Sequence, residues 1–256
     1  MTAAGARRDT RVRTRSSAVP TFAVFEAAVD RRPTCDGCGD PATWRGMVEG
    51  VSACPVASAP VAVLFCDPRG IYAGRPGVDL WDAARDARLY PGPNPVVAHP
   101  PCARWCQLAG LVEARWGHRR GDDGGTFAAA LAAVRKWGGV LEHPAYSKAW
   151  ATFGLPVPPN GGWQRGLCGG WSCQVEQGRY GHPAKKATWL YCYGAQPPSL
   201  RWGSVPDSKS SALVSWCGNK VARTPGRPRL SKRAASATPP AFAEVLLALA
   251  RASCPP

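Results

Sequence analysis

The chain has 256 residues, 45% of them apolar, which is enough to bury a full core in one large domain. A formal net charge of +15 favours a polyanionic partner, and no apolar run is long enough to cross a membrane, the best of them, Val245 to Ala250, being interrupted at Glu244. Eleven cysteines, an odd number with one short paired spacing, argue against a disulfide framework.

The first twenty residues carry arginines but no apolar signal region, so the expectation is a reduced protein of the cytoplasm. Residues 1–20 read as a disordered basic tail with too little apolar surface to offset the cost of ordering. Residues 21–58 read as a small extension, with a short helix over Phe22 to Arg31 and a Cys35-Asp-Gly-Cys38 turn that suits half of a zinc site. No second pair with metal spacing follows it, and no metal is assigned.

The main domain is expected from residue 59 to residue 256. Val61 to Cys66, bounded by Pro60 and Pro68, predicts the first core strand. Arg69 to Gly77 is a glycine-rich loop of the kind that lets a ligand approach backbone, without a GxGxxG signature. Trp81 to Tyr90 is charged and predicts a helix. Val96 to Ala98 predicts the central strand, ended by Pro100 and Pro101 so that Cys102 stands at its carboxyl edge, where open α/β sheets bind ligands.

Ala103 to Trp116 reads as a helix or lid beside that edge, and His118 to Gly125 as a polar, mobile-looking loop. Thr126 can cap a helix over Phe127 to Trp137, whose Phe127, Leu131, Val134 and Trp137 recur at helical spacing. Gly138-Gly139 stops it, and Val140 to Pro144 predicts the next strand. Helix followed by short apolar strand repeats the crossover logic of a parallel sheet. Pro156 to Gly170 reads as irregular, Gln177 to Tyr191 as a loop leading into a β-rich run, and Ser204 to Arg233 as a basic, low-complexity segment. A final helix with proline in its first turn is expected from about Thr238 to Leu249.

Three strand-end motifs therefore stand in order: Pro101-Cys102, Glu142-His143-Pro144 and Lys185-Lys186-Ala187-Thr188. A cysteine, a carboxylate and a basic cluster suit addition to a pyrimidine ring. The thiolate adds to C6 and makes C5 nucleophilic, while an acid near N3 and the exocyclic amine withdraws charge. The carboxyl serves as acid if burial raises its pKa, and nearby cations keep the sulfur ionised.

In these motifs the chain resembles the cytosine-C5 DNA methyltransferases, as a small, divergent, phage-like member. Pro101-Cys102 is similar to the family's nucleophile motif, and Glu142 to the glutamate of its Glu-Asn-Val motif. Tyr180-Gly181-His182-Pro183 resembles the turn before its Gln-x-Arg-x-Arg motif, with Ala184, Lys186 and Thr188 at the glutamine and two arginine positions. Ala237 to Glu244 looks like the closing Asn-x-x-Pro-Pro helix, and Leu64-Phe65 like the opening of the cofactor motif. The usual Phe-x-Gly-x-Gly is replaced by Cys66 to Gly70, and Phe65 lies close in sequence to Cys102. Few residues (194–230) remain for reading a target sequence.

The resemblance implies an α/β fold, a Rossmann-like three-layer methyltransferase sandwich with an abbreviated cofactor half and a minimal target-recognition region. It implies a monomer acting on DNA with S-adenosylmethionine. Its catalytic residues would be Cys102, Glu142, Lys186 and Thr188. Phe65, Asp67, Gly70, Asp79, Pro100 and Thr238 would bind the cofactor, and Arg104, Trp105, Arg115 and Lys185 the nucleic acid. Three other readings stay open: a phage-type enzyme modifying pyrimidine C5 with another one-carbon donor, one acting on the nucleotide, and a non-catalytic DNA-binding relative. A zinc deaminase fits poorly, because Cys106 lies one residue too far from Cys102 and no His-x-Glu precedes it.

Overall fold

The computed structural model describes residues 60–159, 161–206, 209–214 and 227–253. The expected tail over residues 1–20, and the extension over residues 21–58 with its helix and its Cys35/Cys38 pair, lie outside the described residues. So do residues 207–208 and 215–226 of the basic segment.

The core begins with four short strands whose residues are mostly β-branched or small. They are β1 (Val61–Leu64), β2 (Val78–Trp81), β3 (Val96–Ala98) and β4 (Gly139–Pro144). They run parallel in the order β2-β1-β3-β4. The central pair, β1 and β3, is buried along its whole length, as parallel strands covered on both faces must be. The sheet is completed by β5 (Gln164–Arg165), β6 (Trp171–Glu176) and β7 (Ala187–Tyr193). β7 lies antiparallel against β4, followed by β6 and β5, which gives a mixed seven-stranded sheet.

Helices cover both faces. Five are described: α1 (Ala109–Trp116), α2 (Thr126–Trp137), α3 (Lys148–Thr152), α4 (Lys232–Ser236) and α5 (Pro240–Arg251). Strand side chains alternate between two cores. Val61, Val63, Val97 and Val140 meet Phe242, Leu246, Leu247 and Ala250 of α5. Ala62, Leu64, Val96, Ala98 and Leu141 meet Phe127, Ala130, Leu131 and Val134 of α2.

The chain leaves β1 for β2 on one side and returns to β3 on the other. The carboxyl ends of β1 and β3 therefore flank a topological switch point, the place where such sheets open a crevice.

Several local expectations are corrected. Trp81 to Tyr90 is not a helix. Trp81 ends β2, the Asp82 carboxylate accepts the Ala84 and Arg85 amides to make a turn, and Asp86 takes a left-handed φ of 48° that breaks helical winding. Only Ala87–Leu89 forms a short 3-10 turn.

Thr126 does not cap α2, which starts one residue beyond Gly125. Asp123 does that work: its carboxylate accepts the amides of Gly125 and Phe127 and the Thr126 hydroxyl. The same carboxylate accepts the indole N–H of Trp105 at 2.8 Å, and the Gly121 amide donates to the Arg104 carbonyl, so the loop before α2 is pinned to the segment after Cys102. Gly138 and Gly139 end the helix as expected; a side chain on Gly139 would collide with the Val96 backbone.

Candidate active site

The site is set by strand register. Ala98 of β3 pairs with Leu141 of β4, so the next residues, His99 and Glu142, come side by side at the carboxyl edge of the sheet. Leu64 of β1 pairs with Ala98, and the His99 amide donates to the Leu64 carbonyl at 3.0 Å, which fixes the backbone on the other side. Pro100 and Pro101 then turn the chain, and the Cys102 carbonyl accepts the Trp105 and Cys106 amides in a tight turn that presents the sulfur beside the edge.

Glu142 is held at both carboxylate oxygens. Oε2 lies 3.0 Å from Nδ1 of His99, and Oε1 accepts the Gln177 side-chain amide at 3.2 Å. Gln177 precedes Tyr180 in a 3-10 turn after β6, is fully buried, and also donates to the Thr188 hydroxyl on β7 at 2.9 Å. The Thr188 hydroxyl in turn donates a hydrogen bond to the Lys186 carbonyl at 3.2 Å. On the far side, Nε2 of His99 lies 3.0 Å from the hydroxyl of buried Tyr72, which comes from the loop between β1 and β2. Five side chains from five segments thus form one hydrogen-bonded line: Tyr72, His99, Glu142, Gln177 and Thr188.

Burial alone would raise the Glu142 carboxyl. The hydrogen bond from His99 and the electrostatic influence of His99, Lys186 and His143 outweigh it and hold the carboxyl below its ordinary value. The expectation that burial would leave Glu142 a ready acid is corrected on this ground: in the free protein it is a carboxylate.

The Cys102 thiol is pushed the other way. Burial raises it first, the Glu142 carboxylate and Cys106 add to the rise, and a backbone hydrogen bond and Lys186 lower it too little to compensate. The expectation that nearby cations keep the sulfur ionised is corrected likewise. These influences also place Cys102, Glu142 and Lys186 within electrostatic reach of one another.

Lys186 stands just before β7 with a left-handed φ of 43°, and its ammonium donates to the carbonyls of Ser236 and Ala237 at 3.0 and 2.7 Å. Burial lowers its proton affinity, although Glu142 and Cys102 support the charge. The contact brings the loop containing Thr238 to the same edge. Ala184, at the family's glutamine position, is buried; its amide donates to Nδ1 of His182. Nε2 of His182 bonds the Ala234 carbonyl in α4, so that histidine ties the turn to the helix. The glutamine that reaches the carboxylate is Gln177, outside the aligned motif.

The residues assigned to a cofactor divide. Phe65, at the end of β1 with a left-handed φ of 59°, donates its amide to the Trp81 carbonyl, and Asp67 and Gly70 follow in the next turn. Pro100 lies at the end of β3. Gly70 is required by its own turn, since a Cβ there would stand 2.9 Å from the Asp67 carbonyl oxygen. Asp79 sits inside β2, opposite Ala62, with its carboxylate taken by Trp81 at 2.7 Å and Arg85 at 2.6 Å. The acid at the carboxyl edge of β2 is Asp82, which sequence reasoning missed.

Of the residues assigned to nucleic acid, Trp105 is corrected. It is 6% exposed, bonded to Asp123 and packed on Phe127 and Phe153, so it is core and cannot close over a base. Arg104 is half-buried beside it, Arg115 is exposed on α1 with its guanidinium 5.0 Å from the ring centre of Trp116, and Lys185 precedes Lys186 at the start of β7. Trp116, at the end of α1, is the exposed tryptophan among the described residues. Among the described residues no cluster of three or more His, Cys, Asp or Glu side chains could hold a metal ion. Comparison of the chain with protein-family models, with curated proteins and with solved structures gave no match in any of the three.

Proposed function

We propose that this protein is a pyrimidine-C5 modifying enzyme, a DNA cytosine methyltransferase of reduced size, with Cys102 as nucleophile and Glu142 as the group that exchanges a proton with the base. The observation that carries this reading is that Cys102 follows β3 and Glu142 stands at the end of the adjoining parallel β4, within electrostatic reach of each other and of Lys186. The strand order supports it too, because Cys102 follows β3, one of the two strands that flank the switch point.

The charge states give the order of events. At rest the proton sits on sulfur and Glu142 carries none. A cytosine seated between them needs the reverse, a thiolate against C6 and an acid against N3. Transfer of the thiol proton to the carboxylate, through solvent, supplies both groups with no net proton exchanged. The S–C6 bond then forms, the C5–C6 π electrons move through the ring onto N3, and N3 takes the proton from Glu142. C5 becomes an enamine carbon able to attack an electrophile. Lys186 steadies the thiolate as it appears.

The edge beside Phe65 fits S-adenosylmethionine. Asp67 and Asp82 offer carboxylates for ribose hydroxyls, and half-buried Phe65 offers an apolar face for adenine. When bound, the cofactor supplies an electrophilic methyl group. N3 then returns its proton to Glu142, water takes the C5 proton as the C5–C6 double bond re-forms, and the sulfur leaves C6 as the Cys102 thiolate, which regains its proton from Glu142 through solvent. A base in duplex DNA must leave the stack to reach the sulfur. Exposed Arg115 and Trp116 on the helix after Cys102, together with the net charge of +15, support a nucleic-acid partner.

Mass spectrometry of nucleosides from the DNA of cells expressing the protein tests the reading. The wild type should yield a C5-modified deoxycytidine, and Cys102→Ser should yield none while keeping its fold by circular dichroism. Undiminished modification by Cys102→Ser would remove the mechanism.

A further inference from the structure

We propose that His99, gripped by the Tyr72 hydroxyl, is a positioning residue that aims the Glu142 carboxylate at the base and sets the pH at which it takes its proton. The inference rests on the reading above and names a part of the site that the methyltransferase resemblance does not assign.

A carboxylate only accepts, so Nδ1 of a neutral His99 carries the proton and donates it to Oε2 across 3.0 Å. Nε2 is then the acceptor and needs a donor. The Tyr72 hydroxyl, 3.0 Å away, provides it. That phenol keeps its proton, because burial and the nearby Glu142 charge both raise it well above the ordinary tyrosine value. The carboxylate therefore selects the tautomer of His99, and the Tyr72 hydroxyl satisfies the ring nitrogen that carries no proton.

The geometry is rigid at each joint. Tyr72 is 4% exposed and packs in the core beneath α5, its ring tilted 40° over His99 at 5.5 Å. The His99 backbone is fixed by the Leu64 carbonyl. Gln177 holds the second oxygen, leaving the outer lone pairs of the carboxylate for a ligand. The charged and titratable groups facing Glu142 are His99 from β3, Tyr72 from the loop after β1, Cys102, His143 on β4 itself and Lys186 before β7. Arg75 and Glu244, paired with each other, lie beyond Tyr72. Of these, only His99 makes a hydrogen bond to the carboxylate, so its removal should act on Glu142 more than on any other group.

Three variants separate positioning from mere packing. His99→Asn keeps an N–H where Nδ1 stands; His99→Leu removes it; Tyr72→Phe keeps the buried ring and removes only the hydroxyl. The titration of Glu142 in the full chain is followed by carbon NMR of labelled glutamate, with Glu142→Gln identifying the signal. The midpoint should stay close to wild type in His99→Asn and rise by about one pH unit, a roughly tenfold change in proton affinity, in His99→Leu. Tyr72→Phe should give a smaller rise. On DNA, kcat should fall in His99→Leu with KM unchanged, the acid limb of its pH profile should move with the NMR midpoint, and His99→Asn should recover most of the rate.

An unchanged Glu142 midpoint in both His99→Leu and Tyr72→Phe would overturn the proposal, as would equal loss of kcat in His99→Asn and His99→Leu. A wild type without C5 activity would overturn the functional reading instead, and the NMR titration would still decide whether His99 governs the carboxylate. If His99→Leu fails to fold, Tyr72→Phe and His99→Asn carry the same comparison.

Discussion

Glu142 and His143 are neighbours on one strand, face opposite sides of the sheet, and meet opposite electrostatic fates. Glu142 enters a line of hydrogen-bonding side chains and stays ionised although it is nearly buried. His143 enters an aromatic cluster, edge-on to Phe127 at 5.3 Å and stacked on Trp150 at 6.3 Å. Its ring nitrogens make no hydrogen bond of normal geometry, though the Pro101 carbonyl lies near enough to favour its charged form. Burial wins there and lowers its pKa to about 4. Partners, and not depth, decide which buried group keeps a charge. The polar side holds the groups to which the proposed chemistry is assigned, and the aromatic side packs the strand against α2.

The largest effect should come from breaking the polar side. Glu142→Gln keeps the shape and the acceptor for His99 but cannot pass a proton to N3, so turnover on DNA should fall by roughly 10²- to 10⁴-fold, as general acids contribute. Its melting temperature should change little. A variant with wild-type kcat would mean that the carboxylate is only structural.

On the aromatic side the prediction is a pH dependence. The folded-state pKa of His143, about 4, lies below the ordinary histidine value of 6.5. Below pH 6.5 the unfolded chain binds a proton that the folded chain refuses, so stability is complete above that pH and is lost as pH falls towards 4. The loss reaches on the order of 3 kcal/mol at 1.36 kcal/mol per pH unit. Glu142, also lowered, contributes stability above the ordinary carboxylate range that is lost only at still lower pH. Urea unfolding should therefore show a steep decline between pH 6.5 and 4 that His143→Phe flattens. A decline that survives this substitution would assign it elsewhere.

A smaller effect should follow from loosening the layer beneath His143. Asp123→Ala removes the cap of α2 and the Trp105 bond together and should cost about 1–2 kcal/mol in the same assay. Modification of DNA should persist at reduced temperature, because no Asp123 atom belongs to the polar line. Abolished modification at full folding would show that the two sides are coupled more tightly than this.

Much of this contrast was legible in the sequence where periodicity or an apolar run was strong. Val61 to Leu64, Val96 to Ala98, the Phe127 helix and the closing proline-started helix all announce themselves, and the order of Cys102 and Glu142 located both chemical groups. β2 was not legible. Its four residues are all half-buried at the side of the sheet, and Asp82 and Asp86 use local hydrogen bonds to stop a segment whose charge pattern suits a helix. Trp105 read as a surface aromatic because it follows the cysteine closely, yet Asp123 eighteen positions on gives its indole N–H a buried partner.

His99 was visible only as one of several histidines near strand ends, and Gln177 as a loop residue before the Tyr180 turn. Their role comes from register across β1, β3, β4 and β7, which no local pattern records. The same limit explains the charge states, since cysteine and glutamate spacing says nothing about who supplies the opposing hydrogen bond.

The central claim is a bond between one sulfur and carbon 6 of a pyrimidine. An oligonucleotide whose cytosines carry fluorine at C5 has no C5 proton to lose after methyl transfer, so the adduct cannot resolve. Incubated with the full-length protein and S-adenosylmethionine, it should add its mass once to the chain, and peptide mapping should place it on Cys102. A stable adduct on any other cysteine, or C5 modification of ordinary DNA with no adduct trapped at all, would contradict the account.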